Sequence, residues 1–103
     1  MKESEIKFKI ELDNNNIPEK IYWDATDKAP KGFEETQAIC ISLWDANHNS
    51  TLKIDLWAKE MPLEDMKRFY IESIGGLGES LKNATGDETM VSEINDLCER
   101  LGK

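Results

Sequence analysis

The chain is short of the residues that carry chemistry. Its single histidine, His48, falls in an Asn-rich stretch with no nucleophile spaced to pair with it. Its two cysteines, Cys40 and Cys98, have neither CxxC spacing nor the density of a disulfide scaffold. Both are therefore expected as reduced, mostly buried thiols. Positive charge is scarce: 13 Lys and Arg stand against 21 Asp and Glu, a formal charge of −8. That balance opposes a phosphate backbone, and there is no basic stripe, so nucleic acid is excluded as a partner. No stretch approaches the roughly 18 consecutive apolar residues needed to cross a bilayer. The opening MKESEIKFKIEL alternates charge and hydrophobe where a signal peptide would carry an apolar core. These absences predict a cytoplasmic protein with no direct membrane insertion.

Catalytic constellations are missing as well. Acid–base work by carboxylates needs a pair held in a pocket with pKa values pushed apart, whereas most acids here fall on predicted wet faces. The run Asp13-Asn14-Asn15-Asn16 resembles a calcium loop superficially. It lacks the glycine of the sharp turn and the closing bidentate Glu, and reads better as a hairpin turn. The glycines at 75, 76 and 78 do not have GxGxxG spacing. No catalytic residue, metal site or cofactor is assigned.

What is present is the material of a small domain. A chain of 103 residues with 39% hydrophobic content closes one modest core, so a single domain over 1–103 is expected. Ile6, Phe8, Ile10 and Leu12 alternate with Glu5, Lys7, Lys9 and Glu11, the period-2 pattern of a strand with one wet face. Turn chemistry follows from Asp13 to Pro18, and EKIYWD at 19–24 returns as a second strand, giving a hairpin. ATDKAPKG at 25–32 is polar and aperiodic and predicts a mobile surface loop. Residues 34–44 are ambiguous at their start, where a helical turn is also compatible, but favour a strand from Ala38 onward.

The stretch ISLWDANHNSTLKIDLW at 41–57 is the most informative, and it holds two of the three tryptophans. With Asn47 and His48 at the centre of a tight hairpin, Leu43 lies opposite Leu52, Ile41 opposite Ile54 and Ile39 opposite Leu56, so six aliphatics share one face. A slip of one residue would set three of them opposite Lys53, Asp55 and Trp57, so the pattern selects this register. A longer loop in the same register is also compatible. The other face then carries Ala38, Cys40, Ser42 and Trp44 with Thr51, Lys53, Asp55 and Trp57, its tryptophans near opposite ends.

Pro62, Glu64 and Asp65 suit the first turn of a helix. Leu63, Met66, Tyr70, Ile74, Leu77, Leu81 and Ala84 follow at spacings of three or four as one apolar stripe. Three interior glycines cost roughly 3 kcal/mol against alanine, which predicts a kink or the close approach of another backbone. Thr85 and Glu88 fit a capping box for a second helix through Val91, Ile94, Leu97 and Leu101, ending before Gly102. The order ββββαα predicts an α+β domain: a four-stranded antiparallel sheet of two hairpins, with both C-terminal helices packed on one face.

Tryptophan is enriched at interaction hot spots, and two helices cover only one face of a small sheet. Trp44, Lys53, Asp55 and Trp57 are therefore the candidate interface, with Trp23 beside the 25–32 loop as a further contributor. The acidic surface favours a basic protein partner; a second copy of the chain is the other partner in view. The alternative is a small-molecule binding module, with a cavity between the sheet and the glycine-broken helix near Gly75–Gly78.

Four stretches, taken in order, resemble one family: SEIKFKIELD at 4–13, IPEKIYWDATD at 17–27, SLWDANHNSTLKIDLWAKEMPLEDMKRFY at 42–70 and LKNAT at 81–85. Together they are similar to the gliding-motility-associated GldC family of Bacteroidota, over about Ser4 to Thr85. The strongest element is TLKIDLW followed by the K-E-M turn and the E-D-M-K-R-F-Y helix start. The glycine-bearing segment 72–81 and the last helix lie outside the likeness. The resemblance implies a small, soluble, non-enzymatic accessory protein of the gliding machinery, contacting a membrane-anchored motility or secretion component. It implies no reaction, cofactor or site residues.

Overall fold

The computed structural model describes residues 1–102. Five strands precede two helices: β1 Ile6–Leu12, β2 Pro18–Ala25, β3 Glu34–Thr36, β4 Ala38–Asp45, β5 Ser50–Trp57, α1 Leu63–Thr85 and α2 Glu88–Leu101. The protein is α+β, but its strands form two antiparallel sheets, β1-β2-β3 and β4-β5, in place of the single four-stranded sheet expected. The cause lies at Gln37. Residues 34–36, ambiguous in the sequence, form a strand on β2, the chain bends at Gln37, and the strand expected from Ala38 onward is β4: Ile21 to Trp23 pair with Thr36 to Glu34, while β4 pairs with β5 alone. The Gln37 carbonyl accepts from the N–H of Ala58 at 2.8 Å, which continues the β4–β5 ladder past the bend. Residues Met1–Met61 make one compact unit and the chain from Pro62 onward makes another.

Within the β unit the first hairpin is built on Asp13. Its Oδ1 accepts from the N–H of Asn15 at 2.8 Å and of Ile17 at 3.1 Å, and its own N–H donates to Ile17 O at 2.9 Å. Asn16 takes the left-handed conformation (φ 62°), which asparagine tolerates better than most residues. Leu12 then opposes Pro18, one residue out of step with the Glu11–Lys20 pair, so the strand bulges where proline has no N–H to give. Ile21, fully buried between Ile10 and Thr36 in the ladder, centres the core, with Ile39 and Ala58 also buried.

The loop after β2 is held by one cation. Lys28 is only 8% exposed. Its ammonium donates to Pro30 O at 2.6 Å and Gly32 O at 2.8 Å, pairs with Glu34 at 2.6 Å and lies 5.3 Å from the Trp23 ring centroid. A charge buried to that degree needs such a cage. The loop expected to be mobile is thus wrapped around its own lysine.

In the helical unit, α1 runs unbroken through all three glycines. Of the two outcomes expected for them, close approach is the one realised. A Cβ on Gly78 would stand 2.9 Å from Cγ2 of Ile94, and one on Gly75 would lie 3.8 Å from the Cys98 sulfur. Pro62 occupies the N-cap, one position earlier than expected, and has no side chain to cap with. Gly86, left-handed at φ 69°, closes α1 by donating to Lys82 O. The Thr85–Glu88 capping box does not form: the Thr85 hydroxyl donates back to Leu81 O, and Asp87 caps α2 by accepting from the N–H of Met90 at 3.1 Å. Thr85 is still inside α1, so it cannot adopt the extended backbone that a cap requires.

Candidate functional site

The β4–β5 hairpin has the register its hydrophobic pattern demands. Leu43 pairs with Leu52, Ile41 with Ile54 and Ile39 with Leu56. The ladder ends at Asp45 and Ser50, leaving a four-residue loop at 46–49, longer than a two-residue turn but in the same register. Asp45 organises it: Oδ1 accepts from the N–H of Asn47 at 3.0 Å and Oδ2 meets His48 Nδ1 at 2.7 Å. The lone histidine is thereby tied to a turn.

On the opposite face Ala38 faces Trp57, Cys40 faces Asp55, Ser42 faces Lys53 and Trp44 faces Thr51. Four of the five candidate residues, Trp44, Lys53, Asp55 and Trp57, therefore lie on one surface. The fifth does not join them: Trp23 belongs to the other sheet, is half-buried and lies under Lys28. Trp44 is 66% exposed and Trp57 47%. Six residues of strand separate their positions, about 20 Å at the usual rise.

An ion pair sits at the polar centre of the face. Lys53 Nζ lies 3.2 Å from Asp55 Oδ2. The Cys40 thiol across the ladder, then Lys53, hold the Asp55 carboxyl below its ordinary pKa. In return the Asp55 carboxylate pushes the Cys40 thiol up, away from the reactive thiolate. Cys40 is exposed, contrary to the expectation of two buried thiols, because its place in the ladder puts it on the outward face. Cys98 is half-buried between the helices, its sulfur 3.7 Å from Ile71 O.

A cleft of about 340 Å³ opens beside this face, lined by Ile17, Pro18, Asp55, Leu56, Trp57 and Lys59. It forms where the N–H of Lys59 donates to Pro18 O at 3.0 Å, fastening the chain after β5 to the start of β2. Lys59 is held by Asp13 at 2.9 Å and Glu19 at 3.6 Å. Its hydrogen bond, together with those from the turn N–H groups, lowers the Asp13 pKa to about 2. Sequence reasoning missed Ile17, Pro18 and Lys59 as partners of Trp57. The signal in reach was Asp13 at the head of an Asx turn, a carboxylate with an oxygen to spare.

Among the described residues no helix is long and apolar enough to cross a membrane, and no three His, Cys, Asp or Glu side chains gather to hold a metal. No curated protein and no solved structure matches the chain. A family model does, over residues 18–103, and it takes in the glycine-bearing part of α1 and all of α2, segments that the resemblance had left outside. The family is described as gliding motility-associated protein GldC-like, and this chain belongs to it.

Proposed function

We propose that the protein is a non-enzymatic accessory factor of gliding motility, acting in the cytoplasm by binding a protein component of the motility or secretion apparatus that is anchored in the membrane. The contact surface is the β4–β5 face bearing Trp44, Lys53, Asp55 and Trp57. The observation that carries this reading is the pair of exposed tryptophans on one sheet face, with Cys40, Ser42, Lys53 and Asp55 between them. Large aromatics left in water are expensive unless a partner covers them, and tryptophan anchors dominate binding energy at interfaces. Family membership supports the process, gliding motility. The formal charge of −8 supports a basic partner, since positive residues are concentrated on the cytoplasmic side of membrane proteins.

The test is affinity capture of the tagged protein from gently lysed native cells, beside Trp44→Ala and Trp57→Ala variants whose folding is verified by circular dichroism. Wild type should retain membrane-anchored motility components, and each folded variant should lose most of them. Equal retention by both variants rejects the face.

A further inference from the structure

We propose that β4 is a self-pairing edge: two copies of the chain join β4 to β4, antiparallel about Ile41, making one four-stranded sheet of two hairpins. The backbone fixes which groups are on offer. Ala58 N–H bonds Gln37 O across the ladder at 2.8 Å, so Ile39, Ile41 and Leu43, in step with Gln37, turn their N–H and C=O groups to β5. Ala38, Cys40, Ser42 and Trp44 turn theirs outward, where the sheet has no further strand. The Thr36 hydroxyl donates to Ala38 O at 3.3 Å, and Cys40, Ser42 and Trp44 are exposed. An open edge invites a strand unless charge, proline or a bulge blunts it, and residues 38–44 carry none of these. Although 33% of the chain is charged, AICISLW has no charge at all.

That lack of charge decides the occupant. A charged segment finds nothing on this edge to recognise it, whereas a second copy brings no like charge into the seam despite its net −8. The register is self-complementary. Pairing about Ile41 sets Cys40 against Ser42 of the second copy and Ala38 against its Trp44, each pair meeting through the outward backbone groups. It also sets Ile39 against the second copy's Leu43, extending the aliphatic face across the seam. A slip of two residues sets Ile39 against Asp45 or Leu43 against Gln37. Two strands by themselves make a marginal sheet, and the pairing makes four. The dimer further specifies the tryptophan surface, a point that rests on the interaction reading above as the dimer itself does not. Trp44 of the second copy lies one strand over from Ala38, whose other neighbour is Trp57. The two rings then stand about 10 Å apart at the usual strand spacing, against about 20 Å within one chain.

The test is sedimentation equilibrium of the full chain from about 1 µM to about 1 mM, over which a reversible dimer is expected. Ser42→Pro removes an outward N–H and spares the bonds to β5, so it should weaken the dimer at least about tenfold while circular dichroism stays that of wild type. Ser42→Cys reads the register. The Cα atoms of a bonded antiparallel pair stand about 5.5 Å apart, within disulfide reach, so mild oxidation should link it to Cys40 of the second copy. Wild type, whose two Cys40 thiols are not opposed, should cross-link far more slowly. A monomer throughout that range, a dimer undiminished in folded Ser42→Pro, or a Ser42→Cys dimer linked through any other pair in peptide mapping overturns the proposal. The cross-link and the wild-type sedimentation decide even where Ser42→Pro does not fold. Capture of the membrane-anchored component by monomeric Ser42→Pro at wild-type strength would overturn the two-copy tryptophan site and leave the single-chain face standing.

Discussion

Three charged side chains do more for the β unit than its small apolar core suggests. Asp13 folds the first hairpin through its own backbone and carboxylate and reaches Lys59, 46 residues later, at 2.9 Å. Its pKa falls from 3.8 to about 2 on folding. A carboxyl depressed in this way contributes stability that is fully present above the unfolded value near 4 and is lost as pH falls towards 2. Asp13→Asn keeps an acceptor for the turn but removes the ion, so the acid limb of unfolding should flatten between pH 4 and 2, read by urea titrations at several pH values. An unchanged limb would mean that Asp13 carries no linkage. Lys59 works at the other end of the range: Asp13 raises its pKa, and its contribution is lost only as pH rises past that of an ordinary lysine. Lys28 makes a different demand, because its ammonium is the hub of the 28–34 loop. Lys28→Met fills much the same volume but strands the carbonyls of Pro30 and Gly32, and should cost about 2 kcal/mol in denaturant unfolding, with loss of order confined to that loop.

The glycines of α1 show why a helix can be read from sequence while its packing cannot. Gly78 has no room for a methyl group, since Ile94 Cγ2 would be 2.9 Å away, whereas Gly76 has nothing within 4 Å. Alanine is favoured over glycine by about 1 kcal/mol in a helix interior, so Gly76→Ala should stabilise by about that amount. Gly78→Ala should instead destabilise by about 1–2 kcal/mol, overpacking outweighing the helical gain. Ile94→Ala should relieve part of that cost, which a double-mutant cycle by thermal unfolding measures. Additive effects would show that the two residues do not meet. Periodicity marked these glycines as interior but could not say which of the three faces another helix. The same limit applies in the sheets. The 41–57 pattern carried the register of β4 and β5 because six aliphatics fall on one face only one way. The ambiguous residues 34–36 could not be resolved in the same way, because their pairing is with β2 in the other sheet and Gln37 O is bonded by Ala58 from far along the chain. Asp87 and Gly86, local cap signals that lay in view, were passed over for a Thr85–Glu88 pair with the right spacing and the wrong backbone.

Over the whole chain the formal charge is −8. The match over 18–103 omits β1 and the Asp13 turn but includes Pro18, Trp44, Trp57 and Lys59. The paired tryptophan positions were legible because alternation alone assigns a face; the cleft beside Trp57 was not, because it joins residues about 40 apart in sequence. If an acidic protein meets a basic partner across that face, attraction over distance should set the approach and the tryptophans should set the residence time. Raising salt from 0.05 to 0.3 M shortens the screening length from about 13 Å to about 6 Å. The association rate with the captured partner should then fall about tenfold, while dissociation changes less than about threefold. Trp44→Ala should show the reverse, dissociating at least about tenfold faster with association nearly unchanged, because it removes contact area and no charge. Surface-binding kinetics on the purified pair separate the two. Salt-insensitive association would remove charge from the account of how the partner is found, and Trp44→Ala acting on association alone would remove tryptophan anchoring from the account of how it is held.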